Sequence, residues 1–302
     1  MSEIQPQNIA SAYAHCLAIA QNHYENFPTA SFLLNPTQRN ATAAIYAFAR
    51  TADDIADEGN LDAATRHQQM DKLQDCLSRC YLNDNCPDPI FIALADTIQR
   101  YAIPEQTLAS LLVAFNMDID KQRYADFEEL IEYCTHSANP VGELVLRIHG
   151  CCSDQALMYS NAICSALQLI NFLQDIDEDL QQRNRIYIPM NEMRAFSVSE
   201  DALRARRNSP ELHALLQHQL VRARNMLLTG SQLVDMLHGK LKLVIKLTIC
   251  GGLTVCDKLQ QRQDSFTRPR LSRLDWVKIT LRAFGFSADR ARAKIQQTQN
   301  PE

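Results

Sequence analysis

Residues 153–180 read SDQALMYSNAICSALQLINFLQDIDEDL. Apolar side chains recur there at helical spacing until the stretch turns acidic, and no alternation of period two interrupts them, so the segment reads as one long helix. Its acidic end carries Asn171, Asp175 and Asp179 at i, i+4 and i+8, a spacing that lines all three on one face. Gln168 sits one turn earlier on a neighbouring stripe. Segments of the same grammar flank it: Ile9–Asn22, Asn40–Glu58, Ala63–Tyr81, Ile90–Arg100, Pro104–Asp118, Phe127–His136 and Asn139–His149 before it, then Glu200–Asn208, Pro210–Met236, Leu241–Leu259 and Arg273–Phe284. Breaks are expected at proline and glycine positions, Gly251–Gly252 among them. The pattern predicts an all-α bundle in one domain spanning residues 1–302, with a core from about residue 9 to 285 and polar ends.

Composition narrows the class further. The chain has 302 residues, 46% of them hydrophobic and 22% charged, with a net charge of −5. These values exclude a disordered or collagen-like chain and give no basic footprint for nucleic acid. The polar start MSEIQPQN carries no secretory signal, so the ten cysteines are expected as free thiols in a reducing cytoplasm. Cys76, Cys80 and Cys86 cluster but lack the paired spacing of a zinc site. No run reaches the ~18 apolar residues of a membrane span. The nearest candidate, Leu241–Cys256, is broken by Lys242, Lys246 and two glycines.

A second acidic cluster ends the Ala-rich helix over 40–58: Arg50-Thr-Ala-Asp53-Asp54-Ile-Ala-Asp57-Glu58. Asp53 and Asp57 share a face, with Arg50 three residues before Asp53 and Tyr46 one turn earlier. Like charges at i,i+4 cost a helix a few tenths of a kcal/mol, about 0.2–0.5 per pair. At a helix C-terminus the macrodipole adds about 0.3–1 kcal/mol against them. One such cluster is most simply a solvated helix end. Two clusters of matching DxxxD spacing, each growing from an apolar helix, are better reconciled by a hard dication with oxygen ligands that leaves room for a substrate phosphate. Arg50, Arg123, Arg183 and Arg185 stand near the motifs and suit phosphate oxygens. The chemistry implied is metal- and arginine-assisted departure of diphosphate from a hydrocarbon held in a dry cavity. G-x-S-x-G, Walker A and GxGxxG patterns are absent, which removes the usual support for hydrolase, kinase and Rossmann readings.

The stretches AIYAFARTADDIADE, DIDKQRY, YCTHSANPVGELVLR and QLINFLQDIDEDLQQRNRIYIP resemble the squalene/phytoene synthase family, from about His23 to Pro189 and more weakly to Phe284. The resemblance implies a single-domain isoprenoid synthase bundle around a central cavity. It implies Mg²⁺, or Mn²⁺ in its place, held by Asp53 and Asp57 and by Asn171, Asp175 and Asp179. Tyr46, Arg50, Gln168, Arg185 and Tyr187 match positions on the substrate side, and Arg123 lies in the DIDKQRY stretch.

Departures from the common pattern point to a subfamily. Where squalene and carotenoid synthases carry HSxSF, this chain has His23-Tyr24-Glu25-Asn26-Phe27; AGxVG reads Ala138-Asn139-Pro140-Val141-Gly142; and the usual Arg before the second motif's first Asp is Gln174. HYENFP, SANPVG and NFLQD together are similar to the bacterial hydroxysqualene synthases of hopanoid synthesis. These are implied to convert presqualene diphosphate and water to hydroxysqualene and diphosphate without NADPH. One partner enzyme supplies presqualene diphosphate and another reduces hydroxysqualene. An enzyme of this second step holds one diphosphate where a condensing enzyme holds two, which fits Tyr24, Asn26 and Gln174 as weakened phosphate contacts.

Several roles stay open at this stage. Asn139 either places a water or begins a helix with Pro140. His23 either touches phosphate or caps a helix. Lys258, Arg268 and Arg270 either close over the diphosphate or form a solvated basic surface. The competing enzyme readings are presqualene diphosphate synthase, squalene synthase and a phytoene-type synthase. The non-enzymatic reading is an assembly factor of the same fold. A greasy substrate and product make a peripheral contact with the inner face of a membrane compatible with every enzymatic reading.

Overall fold

The computed structural model describes residues 6–22, 34–82, 84 and 86–287. The chain divides into two compact units, Met1–Asp120 with Glu143–Cys152, and Lys121–Gly142 with Ser153–Glu302. Among the described residues there is no strand, only an isolated parallel bridge between Arg123 and Ile186.

The first unit contains α1 (Pro6–Asn22), α2 (Pro36–Asp57), α3 (Ala63–Tyr81), α4 (Pro89–Tyr101) and α5 (Glu105–Asp120). Helix starts follow local chemistry: Asn35 and Gln38 form a capping box that brackets Pro36 at the start of α2, and Asp62 and Asp88 cap α3 and α4. α2 buries Ala41, Ala43, Ala44, Ala47, Ala52 and Ala56, small side chains that let neighbouring helices approach closely. Phe48 fills the remaining space edge-on to Phe91, at 6.0 Å between ring centroids. Tyr13 brings its hydroxyl inside by donating to Asp96 Oδ2 at 2.6 Å, beside Thr97 Oγ1 at 2.9 Å.

The second unit contains α6 (Phe127–Ser137), α8 (Asp154–Gln174), α9 (Ile176–Arg183), α10 (Met190–Ala195), α11 (Glu200–Arg204), α12 (Pro210–Gly230), α13 (Leu233–Met236), α14 (Gly239–Gln261) and α15 (Arg273–Phe284). α7 (Asn139–Ile148) has its first turn in this unit and the rest in the other. α8 is long and apolar enough to cross a membrane by composition, but half of that stretch is buried inside the protein, as befits a core helix. It takes the place of Leu241–Cys256 as the segment nearest to a span.

Three differences from the sequence reading matter. The expected helix over 153–180 breaks at Asp175, where φ −106° and ψ 14° end α8 and begin α9. The helix expected over 210–236 stops at Gly230. The break expected at Gly251–Gly252 is absent, since α14 runs through both. Gly252 is there for packing: a β-carbon on it would stand 2.8 Å from Leu227 Cδ2 and 2.9 Å from Leu167 Cδ2.

All ten cysteines are free thiols, and six of them, Cys16, Cys80, Cys86, Cys134, Cys250 and Cys256, are buried. Burial pushes the Cys16, Cys80, Cys134 and Cys256 thiols up to about 12, the behaviour of inert core residues.

Candidate active site

The first carboxylate set leaves the core on the last turns of α2. Arg50 is its internal counter-ion: Nη1 lies 3.0 Å from Asp53 Oδ2 and Nη2 lies 2.6 Å from Asp54 Oδ1, and the same guanidinium reaches Glu58. One turn earlier, burial raises the Tyr46 phenol while the Arg50 charge pulls it down. Arg66 on α3, which the sequence reading did not single out, donates to the carbonyls of Ile55 and Gly59 and closes the C-terminal end of α2. A cation at that end offsets the macrodipole cost of carboxylates there.

The second set is organised by the break at Asp175. The i→i−4 ladder survives it, since Asp175 N donates to Asn171 O at 3.0 Å and Asp179 N to Asp175 O at 2.8 Å, so the row over 171–179 persists. The break corrects the electrostatics expected of this cluster. Asp177, Glu178 and Asp179 occupy the first turn of α9, where the macrodipole favours negative charge. Asn171 is exposed, while Asp175 is buried. Arg268 Nε lies 2.6 Å from Asp175 Oδ1, with Nη1 3.7 Å from Glu178. Arg183 stands 3.7 Å from Asp179. Burial, with Asp175 beside it, pushes the Asp179 carboxyl up to about 7. Asp175, Asp177, Glu178, Gln174 and Arg268 border a cleft of about 260 Å³.

Of the C-terminal basic residues, Arg268 thus reaches the motif. Lys258 instead binds Asp275 at 2.9 Å, and Arg270 is exposed. Gln174 donates Nε2 to the Pro269 carbonyl at 3.2 Å and so ties the 268–270 segment beside Asp175. Arg262, also missed in the sequence, donates Nη1 to Leu173 O at 3.0 Å and satisfies a carbonyl at the end of α8. Burial lowers its guanidinium to about 10.

The remaining predicted residues divide. Arg185 and Tyr187 are buried beyond α9, where they line a small cavity with Asp179, Phe172 and Leu180. Tyr187 stacks on Phe172 at 3.7 Å and 6°, with Tyr124 and Tyr133 at 5.6 and 5.9 Å. Of this four-ring cluster the sequence reading singles out Tyr187 as a substrate-side residue, but not its stacking with the other three. Arg123 is committed to Glu200, with Nε to Oε1 at 2.9 Å and Nη2 to Oε2 at 2.7 Å, and it also donates to Asn184. That arrangement ties α11 to the 184–186 turn. Asn139 opens α7 and its Oδ1 accepts from Ser165 Oγ at 2.9 Å. Beside it His136 Nδ1 and Ser137 Oγ are buried without hydrogen-bond partners. Gln168 is half-buried on α8. His23, Tyr24 and Asn26 lie outside the described residues.

Among the described residues no three His, Cys, Asp or Glu side chains converge as a metal cage. Mg²⁺ needs none, since it keeps waters and is commonly held by one or two carboxylates and substrate phosphate. Asp175, buried, and Asp179, half-buried, neighbour on one face beside arginines and offer the hard oxygen donors it requires, so the donor set fits such an ion.

Comparison with known proteins places this architecture in the helical class of squalene and dehydrosqualene synthases. A squalene synthase structure, HpnC from Alicyclobacillus acidocaldarius, superimposes with a TM-score of 0.81 at 31% identity, covering 88% of this chain and 98% of that one. The family model for squalene/phytoene synthase matches residues 20–279, and the chain belongs to that family of prenyl diphosphate-processing enzymes. The hydroxysqualene synthase of Rhodopseudomonas palustris is 34% identical over 254 residues, 84% of this chain and 85% of that protein. The phytoene synthase of Mycobacterium tuberculosis is 35% identical over 190 residues, 63% of this chain and 61% of that protein.

Proposed function

We propose that the chain converts presqualene diphosphate and water to hydroxysqualene and diphosphate, with Mg²⁺ as the cofactor. The observation that carries this reading is Gln174. At the position before Asp175 where a condensing enzyme would present a cation, this chain has an amide spent on the Pro269 carbonyl. Long similarity to hydroxysqualene synthases supports it.

Each row, Asp53 with Asp57 and Asn171 with Asp175 and Asp179, would offer oxygen donors to Mg²⁺, which when bound neutralises charge on the departing diphosphate. Arg50 and Arg268, paired with these carboxylates in the structure, would be available to phosphate oxygens once a metal took over that charge. Arg183 and Arg185 add positive charge beside Asp179. The stacked rings of Phe172 and Tyr187 would exclude water around that end of the site. Asn139, held by Ser165, with His136 and Ser137 next to it, supplies polar atoms that orient the attacking water.

The test incubates the purified protein with Mg²⁺ and no NADPH, offering farnesyl diphosphate in one arm and presqualene diphosphate in the other. Hydroxysqualene from presqualene diphosphate alone is the expected product by mass spectrometry. Consumption of farnesyl diphosphate would replace this reading by a condensing synthase, the reading that the similarity to a phytoene synthase favours. In the same assay Arg268→Gln is expected to raise KM about tenfold with a smaller change in kcat, the loss of one charge-assisted contact to phosphate. An unchanged KM would confine Arg268 to holding Asp175. Asn139→Ala is expected to divert the product from the alcohol to hydrocarbon formed by proton loss, and an unaltered yield of hydroxysqualene would remove Asn139 from water placement.

A further inference from the structure

The last described helix turns much of its apolar surface outward. On α15, Leu274 is 73% exposed, Val277 57%, Leu281 68% and Phe284 72%. At 3.6 residues per turn these four positions fall within an arc of about 80°. The opposite face is anchored. Ile279 and Ala283 are buried against Cys250 on α14, with Leu247, Leu271 and Phe286 around them. Ser272 and Asp275 form a capping box at its start, Lys258 holds Asp275 at 2.9 Å, and Arg282 reaches Asp257 at 3.2 Å. Lys258 and Ser272 hold the Asp275 carboxyl well below the usual carboxylate range. The stripe is therefore presented by a helix fixed on its other side.

The stripe's borders are cationic. Arg273 flanks it on one edge and Lys278 and Arg282 on the other, with Arg270 just before the helix, and all four are exposed. The chain as a whole carries −5, so this is a local concentration of positive charge against the general sign. An apolar stripe between basic borders is the composition of a helix that lies in a membrane interface, with its cations at the headgroups and its apolar side chains at the acyl boundary. A second copy of the chain is a poorer occupant. A two-fold contact would bring each copy's cations against the same cations of its partner.

We propose that α15 docks the protein on an anionic lipid surface by laying Leu274, Val277, Leu281 and Phe284 into the interface. Docking would deliver a long-chain prenyl diphosphate, and release its product, without exposing either to bulk water. That consequence rests on the proposed reaction, but the docking itself does not.

Co-sedimentation of the full chain with vesicles tests it, and no turnover is read. Binding is expected to vesicles of phosphatidylcholine with phosphatidylglycerol, to be weak on phosphatidylcholine alone and to fall as salt is raised. Leu274→Gln combined with Leu281→Gln is expected to reduce the partition coefficient by about tenfold or more. Arg273→Gln and Lys278→Gln are each expected to cost about fivefold on anionic vesicles only. Both sets alter exposed side chains, and unchanged far-UV circular dichroism and an unchanged urea midpoint confirm that the fold is kept. Wild-type protein left in the supernatant with anionic vesicles would overturn the proposal. So would a double-Gln variant that binds like wild type. A dimer seen by light scattering without lipid, and dissociated by Leu281→Gln, would also overturn it and assign the stripe to a second copy.

Discussion

Replacing Asp179 by Asn lowers turnover by about three orders of magnitude and leaves the protein folded. The substitution keeps the shape of the side chain and removes one negative charge. In the folded chain burial and the neighbouring Asp175 oppose that charge, and Arg183, which approaches at 3.7 Å, and Arg185 offset them only in part. Such a group is expensive to keep ionised and is retained for what it does when a cation is present. Removing a preorganised group that acts on charge developing in the transition state costs about 10²–10³ in rate. Losing a metal ligand places this case at the upper end. Urea denaturation without metal separates a catalytic from a structural role, because a carboxylate that costs folding free energy leaves the Asn variant at least as stable as wild type. A variant that unfolds at lower urea, or one that turns over at more than a tenth of the wild-type rate, would show that Asp179 is not a ligand. Asp53→Asn is the parallel measurement in the first set, where side chains are more exposed and the stability change is expected near zero.

The helical class and the two carboxylate rows were legible because both rest on periodicity. Residues spaced four apart share a helix face whatever surrounds them, and the row over 171–179 keeps its i→i−4 bonds even across a break. The break was not legible, because Asp175 is neither Gly nor Pro and no local signal marks it. It follows from tertiary context, with a buried carboxylate drawn to Arg268 from a segment more than ninety residues later. The charge partners were hidden for the same reason. Arg50 could be read beside its aspartates, whereas Arg66 and Arg262 act on carbonyls of other helices and carry no spacing that would reveal them. Arg123 shows the converse case: an arginine next to a motif reads as a phosphate ligand, and its ion pair with Glu200 is set by the fold and carries no sequence signal. The aromatic cluster of Tyr124, Tyr133, Phe172 and Tyr187 gathers from four segments of the second unit, so only packing could reveal it.

Glycine was misread in an instructive way, and it provides the second large effect. Gly230→Val is expected to destabilise the protein by about 3 kcal/mol or more. A β-carbon at Gly230 would lie 2.6 Å from Ile163 Cγ1, 2.7 Å from Tyr159 O and 2.9 Å from Ile163 N. Two of these atoms belong to the backbone of α8, so no rotamer relieves the clash and α12 would have to move off the core helix it packs against. The branched side chain enlarges the overlap. Gly251→Ala is the control with the opposite sign. Nothing stands within 4 Å of a β-carbon there, and the residue lies in the interior of α14, where the sequence led us to expect a break. Alanine restricts the unfolded chain more than glycine and suits a helix interior better, so the variant is expected to gain about 0.5–1 kcal/mol. Urea midpoints with unchanged slopes would report both differences as stability. Equal losses at the two positions would mean that glycine serves chain flexibility at both. Opposite signs would establish that Gly230 is required by the approach of α12 to α8, and that glycine at Gly251 is required by neither packing nor backbone conformation.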